Sequence, residues 1–341
     1  MTFEASNTKN QPLVSVIMNC LNCSKYVREA IDSIYAQTYK NWEIIFWDNS
    51  STDSSAEIAK GYDERAKYFK GDKTVPLYAA RNYALQQARG KYIAFLDYDD
   101  IWLPQKLEQQ IPLFDKDKKI GMVYSNAEIA EGITAIRKMH TVLQPSGKIF
   151  RQMLRHYNIN IQTVVISRTA LESLNEWFDD SLNLAGDTDL FLRIAHDWDV
   201  KYLPVVTARC REHGENLSLK LAEDVPVEVE YIIGKFSNLY KDFIREYDPE
   251  LIELRMRLRK GLAVSKWKSG QNPEARSLIV RHLRAMYPFV LVWFLSFFPY
   301  KIMSFLRNNV LWQTAVRFYR KIPAAFLRIA RMIKNQDTAV R

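Results

Sequence analysis

Residues 13–18, 42–47 and 91–96 are short apolar runs carrying at most one charge each, and helical segments lie between them. A continuous apolar run of this length is the pattern of a strand buried on both faces. After the first run, Val27, Ala30, Ile31 and Ile34 recur at helical spacing behind Ser24, which is placed to cap the segment. After the second, the Ser/Thr/Asp cluster of residues 49–55 leads into a helix around Ile58, and Tyr68 and Phe69 mark a third short strand. Residues 77–88 form the next predicted helix, with Gly90 suited to a left-handed C-terminal cap. Strands alternating with helices imply an α/β fold built on a mostly parallel sheet covered on both faces.

The pattern continues with a predicted helix over residues 102–114, Pro104 in its first turn, and strands at 122–124 and 161–166. Residues 126–149 fit neither period. A helix over 187–196 and a strand over 200–206 follow. Strand patterns stop near Ala222, and helical segments run to about Met286, broken by a turn at residues 268–273. The expected organisation is a catalytic domain over 12–222, a helical extension over 223–286 and a distinct tail over 287–341.

Charge separates these parts. The chain has a net charge of +9, but residues 251–341 hold 18 Lys and Arg against three acids, leaving the first 250 residues at −6. A basic tail on an acidic body points to an anionic surface. The N-terminal residues are polar and lack the apolar core of a secretory signal. Cys20, Cys23 and Cys210 are too few for a disulfide framework and fit a reducing cytoplasm. Cys20 and Cys23 have CxxC spacing, but no second pair completes a zinc site.

In an open parallel sheet, ligands bind beyond the carboxyl ends of the strands. Acids stand at two such ends, Asp48 and the run Asp97, Asp99 and Asp100. A carboxylate cluster there suits Mg²⁺, which takes one or two carboxylates together with substrate phosphates. The blocks Val14-Ser15-Val16-Ile17-Met18, Asp48-Asn49-Ser50-Ser51-Thr52-Asp53, Ala80-Arg81-Asn82 and residues 90–100, ending Leu96-Asp97-Tyr98-Asp99-Asp100, together resemble family 2 glycosyltransferases over roughly residues 12–220. The resemblance implies a GT-A, Rossmann-like fold, a nucleotide-diphosphate-sugar donor, Mg²⁺ or Mn²⁺, and inversion at the anomeric carbon. It assigns Asp48 to the nucleobase, Arg81 and Asp97 to the donor, and Asp99 to the metal, with Asp100 supporting it from behind. Where the family shows Pro-Thr-Tyr-Asn, this chain has Asn19-Cys20-Leu21-Asn22, so only Asn22 is carried over as a donor contact.

Inverting displacement needs a base on the face opposite the leaving diphosphate. Residues 186–193 resemble the family block that supplies it, with Gly186 in place of a Glu and Asp187 at the position of the base. Read alone, Asp187 is also a helix cap. His213, in the loop after the last predicted strand, resembles a residue that completes the metal or phosphate site. His140, His156, His196 and His282 show no metal spacing.

The tail holds a charge-free apolar run too short to span a bilayer, followed by aromatic and aliphatic residues at helical spacing with Arg and Lys between them. Residues 287–334 therefore suit peripheral contact with an anionic membrane. No zinc-finger or helix-turn-helix pattern supports a nucleic-acid partner. The expected protein works in the cytoplasm or at the inner membrane face, on a saccharide or lipid-linked saccharide acceptor in bacterial surface polysaccharide assembly. A polyprenyl-phosphate sugar transferase and a non-catalytic nucleotide-sugar-binding module are the competing expectations.

Overall fold

The structure, a computed structural model, describes residues 11–280 except 132–134, 215, 217–220 and 222. The tail expected over 287–334, and His282, lie outside the described residues. The chain divides into two compact units, residues 1–251 and residues 252–341.

The first unit is organised by one sheet. Its parallel half comprises β1 (Val14–Cys20), β2 (Trp42–Asp48), β3 (Ala66–Lys70) and β4 (Tyr92–Phe95). Short strand β5 (Ile101–Trp102), long strand β6 (Ile120–Glu131), β7 (Ala135–Lys138), β8 (Val165–Ser167) and β9 (Asp199–Glu212) complete it. The order across the sheet is β3-β2-β1-β4-β8-β6-β9-β5, with β7 paired to β6. β8 runs antiparallel between β4 and β6, so the sheet is mixed on that side and parallel where the acids lie. Every residue of β1 and β4 is buried, which is why both read as unbroken apolar runs.

Helices α1 (Val27–Tyr35), α2 (Ser55–Lys60), α3 (Leu77–Gln87), α4 (Lys106–Lys116), α5 (Phe150–Arg155), α6 (Arg168–Glu172) and α7 (Gly186–Asp197) connect the strands. Val14, Val16, Met18 and Cys20 of β1 pack with Val27, Ala30, Ile31 and Ile34 of α1 in one core. Ser15, Ile17 and Asn19 point to the other side, the side of α3. The unit continues through α8 (Val225–Leu239) and α9 (Phe243–Glu246). The helices α10 (Asp248–Lys268) and α11 (Asn272–Val280) follow, joined by a turn in which Gly270 takes φ +82°.

Four local expectations are corrected. Ser24 does not cap α1; the preceding residue is Tyr26, with no side-chain cap bond, while the Ser24 N–H is itself spent on Asp53. Gly90 is not left-handed. It is required by a close approach: a Cβ there would lie 2.4 Å from the Ser15 nitrogen, and its N–H donates to Ser15 Oγ at 2.7 Å. Trp102 is not helical but pairs in β5 opposite Ala208, its buried indole N–H donating to the Gln162 carbonyl at 2.9 Å; the helix starts only beyond Pro104. Cys20 and Cys23 form a disulfide. Between them the chain turns through Asn22 at φ 53°, bringing the two Cα atoms to 5.8 Å, inside the range a disulfide spans.

Candidate active site

Strand register levels the functional groups. Asp48 ends β2 opposite Cys20, and Phe95 of β4 lies opposite Ile17. Asp97 therefore emerges at the same edge of the sheet as Asp48. Asp48 is fully buried, and each of its carboxylate oxygens accepts a bond from the protein, Oδ1 from the Ser51 N–H at 2.7 Å and Oδ2 from the Tyr68 hydroxyl at 2.6 Å. The latter bond, on top of burial, raises the Tyr68 pKa. Ser50 takes φ 68° in the turn that follows. Asn22 stays exposed and staples the β1 loop to this turn, its N–H donating to Ser51 Oγ at 3.0 Å and its Oδ1 accepting from the Thr52 N–H at 2.9 Å.

Arg81 is buried on α3 and pairs with Asp97 Oδ1 at 2.6 Å. Gln162 clamps the same acid from the opposite side. Its Nε2 donates to Asp97 Oδ2 at 2.6 Å and its Oε1 accepts from the Asp97 N–H at 2.8 Å. Gln162 was not identified from the sequence; the available signal was the polar pair Gln162-Thr163 inside the otherwise apolar stretch 161–166.

Asp99 and His213 come together, Oδ2 to Nε2 at 3.0 Å, although 114 positions separate them. Tyr26 stacks on the His213 ring with centroids 5.3 Å apart. Burial, reinforced by the Asp97 carboxylate, raises the Asp99 pKa. Asp100 is buried behind it and accepts the Arg211 N–H at 2.9 Å; burial and the neighbouring acids push it well above the usual carboxylate range. That bond anchors the end of β9, from which the His213 loop departs.

Asp187 sits in the first turn of α7 without acting as its cap, since Ala185 holds that position. The residue is half-buried, and its carboxylate accepts the Thr188 N–H at 2.7 Å and faces the Tyr157 hydroxyl at 3.4 Å. Desolvation raises its pKa to about 6 against the pull of the Arg81 guanidinium, with Asp97 adding to the rise. The family's Glu has no room beside it. A Cβ on Gly186 would lie 2.6 Å from the Tyr78 ring, whose hydroxyl is anchored on the Leu184 carbonyl at 2.8 Å.

The loop before Asp187 is held from α8. Glu228 accepts the N–H groups of Asn183, Leu184 and Ala185 at 2.8, 2.9 and 2.7 Å. Lys235, on the same helix, binds Asp179 at 2.8 Å and Asp189 at 3.1 Å. Neither contact was identified from the sequence, because each joins residues more than 40 positions apart.

Among the described residues no group of three or more His, Cys, Asp or Glu converges as a complete metal cage. Asp99 and His213 supply two donors that already meet at one point. Two protein donors fit a hard divalent cation that draws its remaining ligands from phosphate oxygens and water. The pair could not satisfy a structural zinc site, which takes four protein ligands.

A mostly parallel sheet flanked by helices, with paired acids and a buried arginine at its carboxyl edge, defines a GT-A α/β protein. Solved structures share the architecture. S. aureus TarS 1–349 in complex with UDP-GlcNAc superposes with a TM-score of 0.62 at 18% identity, covering 82% of this chain and 81% of that one. The mannosyltransferase PcManGT from Pyrobaculum calidifontis, in complex with GDP-Man and Mn²⁺, gives 0.58 at 17% identity over 95% and 88%. Residues 15–173, a little under half of the chain, match the family model described as Glycosyl transferase family 2. Two Escherichia coli relatives are named UDP-Glc:alpha-D-GlcNAc-diphosphoundecaprenol beta-1,3-glucosyltransferase, WfgD and WfaP. Each is 36% identical, over 160 and 164 residues that make up 47% and 48% of this chain. The alignments span 62% and 64% of those relatives' own length.

Proposed function

We propose that this protein transfers a sugar, with inversion, from a nucleoside-diphosphate sugar to a lipid-linked saccharide in assembly of a bacterial surface polysaccharide. One observation carries the reading. Asp187, with a pKa raised to about 6, lies close enough to the Arg81–Asp97 pair to feel both charges. A carboxylate poised near neutrality is suited to taking a proton from an acceptor hydroxyl.

In this mechanism the acceptor hydroxyl gives its proton to Asp187 as its oxygen bonds to the anomeric carbon. The bond from that carbon to the diphosphate breaks, and the nucleoside diphosphate leaves on the opposite face. Arg81 and Gln162 hold the Asp97 carboxylate in one orientation toward the donor. Asn22 and Asp48 organise the two loops at the nucleoside end, with Asp48 acting through the turn it anchors. Asp99 and His213 would hold Mg²⁺ or Mn²⁺, which neutralises charge on a departing diphosphate. The lipid-linked acceptor is supported by the activity for which WfgD and WfaP are named.

The test is nucleotide release from a panel of nucleotide sugars with Mn²⁺, with and without a diphospholipid-linked saccharide. Acceptor-stimulated release that is lost in Asp99→Ala is the expected result. Nucleotide binding with no turnover of any donor would instead leave a binding module.

A further inference from the structure

Asn19 is a buried amide with 7% of its surface exposed, and neither its Oδ1 nor its Nδ2 has a hydrogen-bond partner. A buried amide left without partners is costly, so each such group calls for an explanation. Its position supplies one. Asn19 is the penultimate residue of β1, directly opposite Trp47 of β2. The Leu96 N–H bonds the Ile17 carbonyl at 3.1 Å, which brings Asp97 to the level of Asn19 on the other side.

Side chains alternate along a strand. Met18 and Cys20 enter the core beside α1, so Asn19 faces the α3 side. Arg81 of α3 meets Asp97 on that side, and Tyr83 of α3 packs on Trp47 with ring centroids 5.2 Å apart. The buried Trp47 indole nitrogen also has no partner. Adjacent strands lie about 4.8 Å apart. Two unpartnered donors and one unpartnered acceptor thus stand side by side at the strand ends, between the Asp48 turn and the Arg81–Asp97 pair.

We infer that Asn19 reads the nucleobase of the donor, its amide pairing with a base edge that carries one donor and one acceptor. The inference rests on the proposed use of a nucleotide donor and adds a base-reading residue to it. A phosphate offers only acceptors and would leave Oδ1 unpaired. A base edge satisfies both atoms. The family's proline, which stands at this position in the resemblance, has no side-chain polar group to play this part.

The experiment is calorimetric titration of the full chain with UDP, GDP, ADP and CDP, each with Mn²⁺, repeated for Asn19→Leu and Asn19→Asp, with melting temperatures of all three proteins in the absence of nucleotide. The wild-type protein should favour one of the four. Asn19→Leu should bind that nucleotide at least tenfold more weakly, narrow the preference among the four, and melt at a higher temperature because an unpartnered buried amide is gone. Asn19→Asp, which keeps acceptors and loses the donor, should also bind it more weakly. If the wild-type protein binds a nucleotide but Asn19→Leu binds it within twofold, or if Asn19→Leu melts lower, the amide serves the fold and the inference is overturned. A wild-type protein that binds none of the four overturns the donor reading itself.

Discussion

Asp187 ties its own ionisation to both chemistry and stability. Its folded-state pKa of about 6 lies above the ordinary 3.8, so the folded protein holds the proton more tightly than the unfolded chain does. Stability contributed by the protonated form is therefore present below pH 3.8 and lost as pH rises to about 6. Because the residue is only half-buried, the loss amounts to roughly 1–2 kcal/mol. Transfer runs in the opposite direction, since only the carboxylate accepts a proton. At saturating donor the rate should climb about tenfold per pH unit below 6 and level off above it, as measured by initial rates across pH. Asp187→Asn should abolish transfer, keep donor affinity within a few fold and raise the melting temperature at pH 7. Retained transfer in that variant would refute the base assignment.

At the scale of elements, α8 is the strut of the loop that carries Asp187, the base in the proposed mechanism. Glu228 collects three N–H groups of the loop that enters α7, and a small displacement of a catalytic group can cost about 10²-fold in rate. Glu228→Ala should lower kcat 10- to 100-fold while the donor Kd, measured by calorimetry, stays unchanged; equal losses in both would mean that the whole crevice has slackened. This dependence could not be read along the sequence, because a surface glutamate in a helix looks alike whatever loop it holds. The strands β1, β2 and β4 were legible because burial on both faces leaves continuous apolar runs. The stretch 126–149 was not. There β6 runs on through Ser125, Asn126 and Glu128, whose polar side chains find partners in the Thr207 hydroxyl, the His140 backbone and Arg209. Polar residues satisfied across strands erase the period that marks a strand. The site divides in the same way: acids at strand ends announced themselves, whereas Gln162 and Tyr157 acquire their roles only from tertiary neighbours.

At the scale of the molecule, the positive charge is concentrated beyond residue 250. Among the described residues no helix is long and apolar enough to cross a membrane. The proposed lipid-linked acceptor would lie at a bilayer surface, and the positive charge of the tail would draw it to an anionic one. In flotation with vesicles containing anionic lipid, the full chain should rise with the vesicles and a truncation after Met286 should stay behind; equal flotation would remove the tail from the account. The first unit also records a constraint between distant positions. Tyr78 occupies the space in which a side chain at 186 would lie, so position 186 is not free to change while Tyr78 stands. Among descendants of this chain, a glutamate at 186 should arise only where position 78 has already become small, a coupled substitution detectable by comparing their sequences.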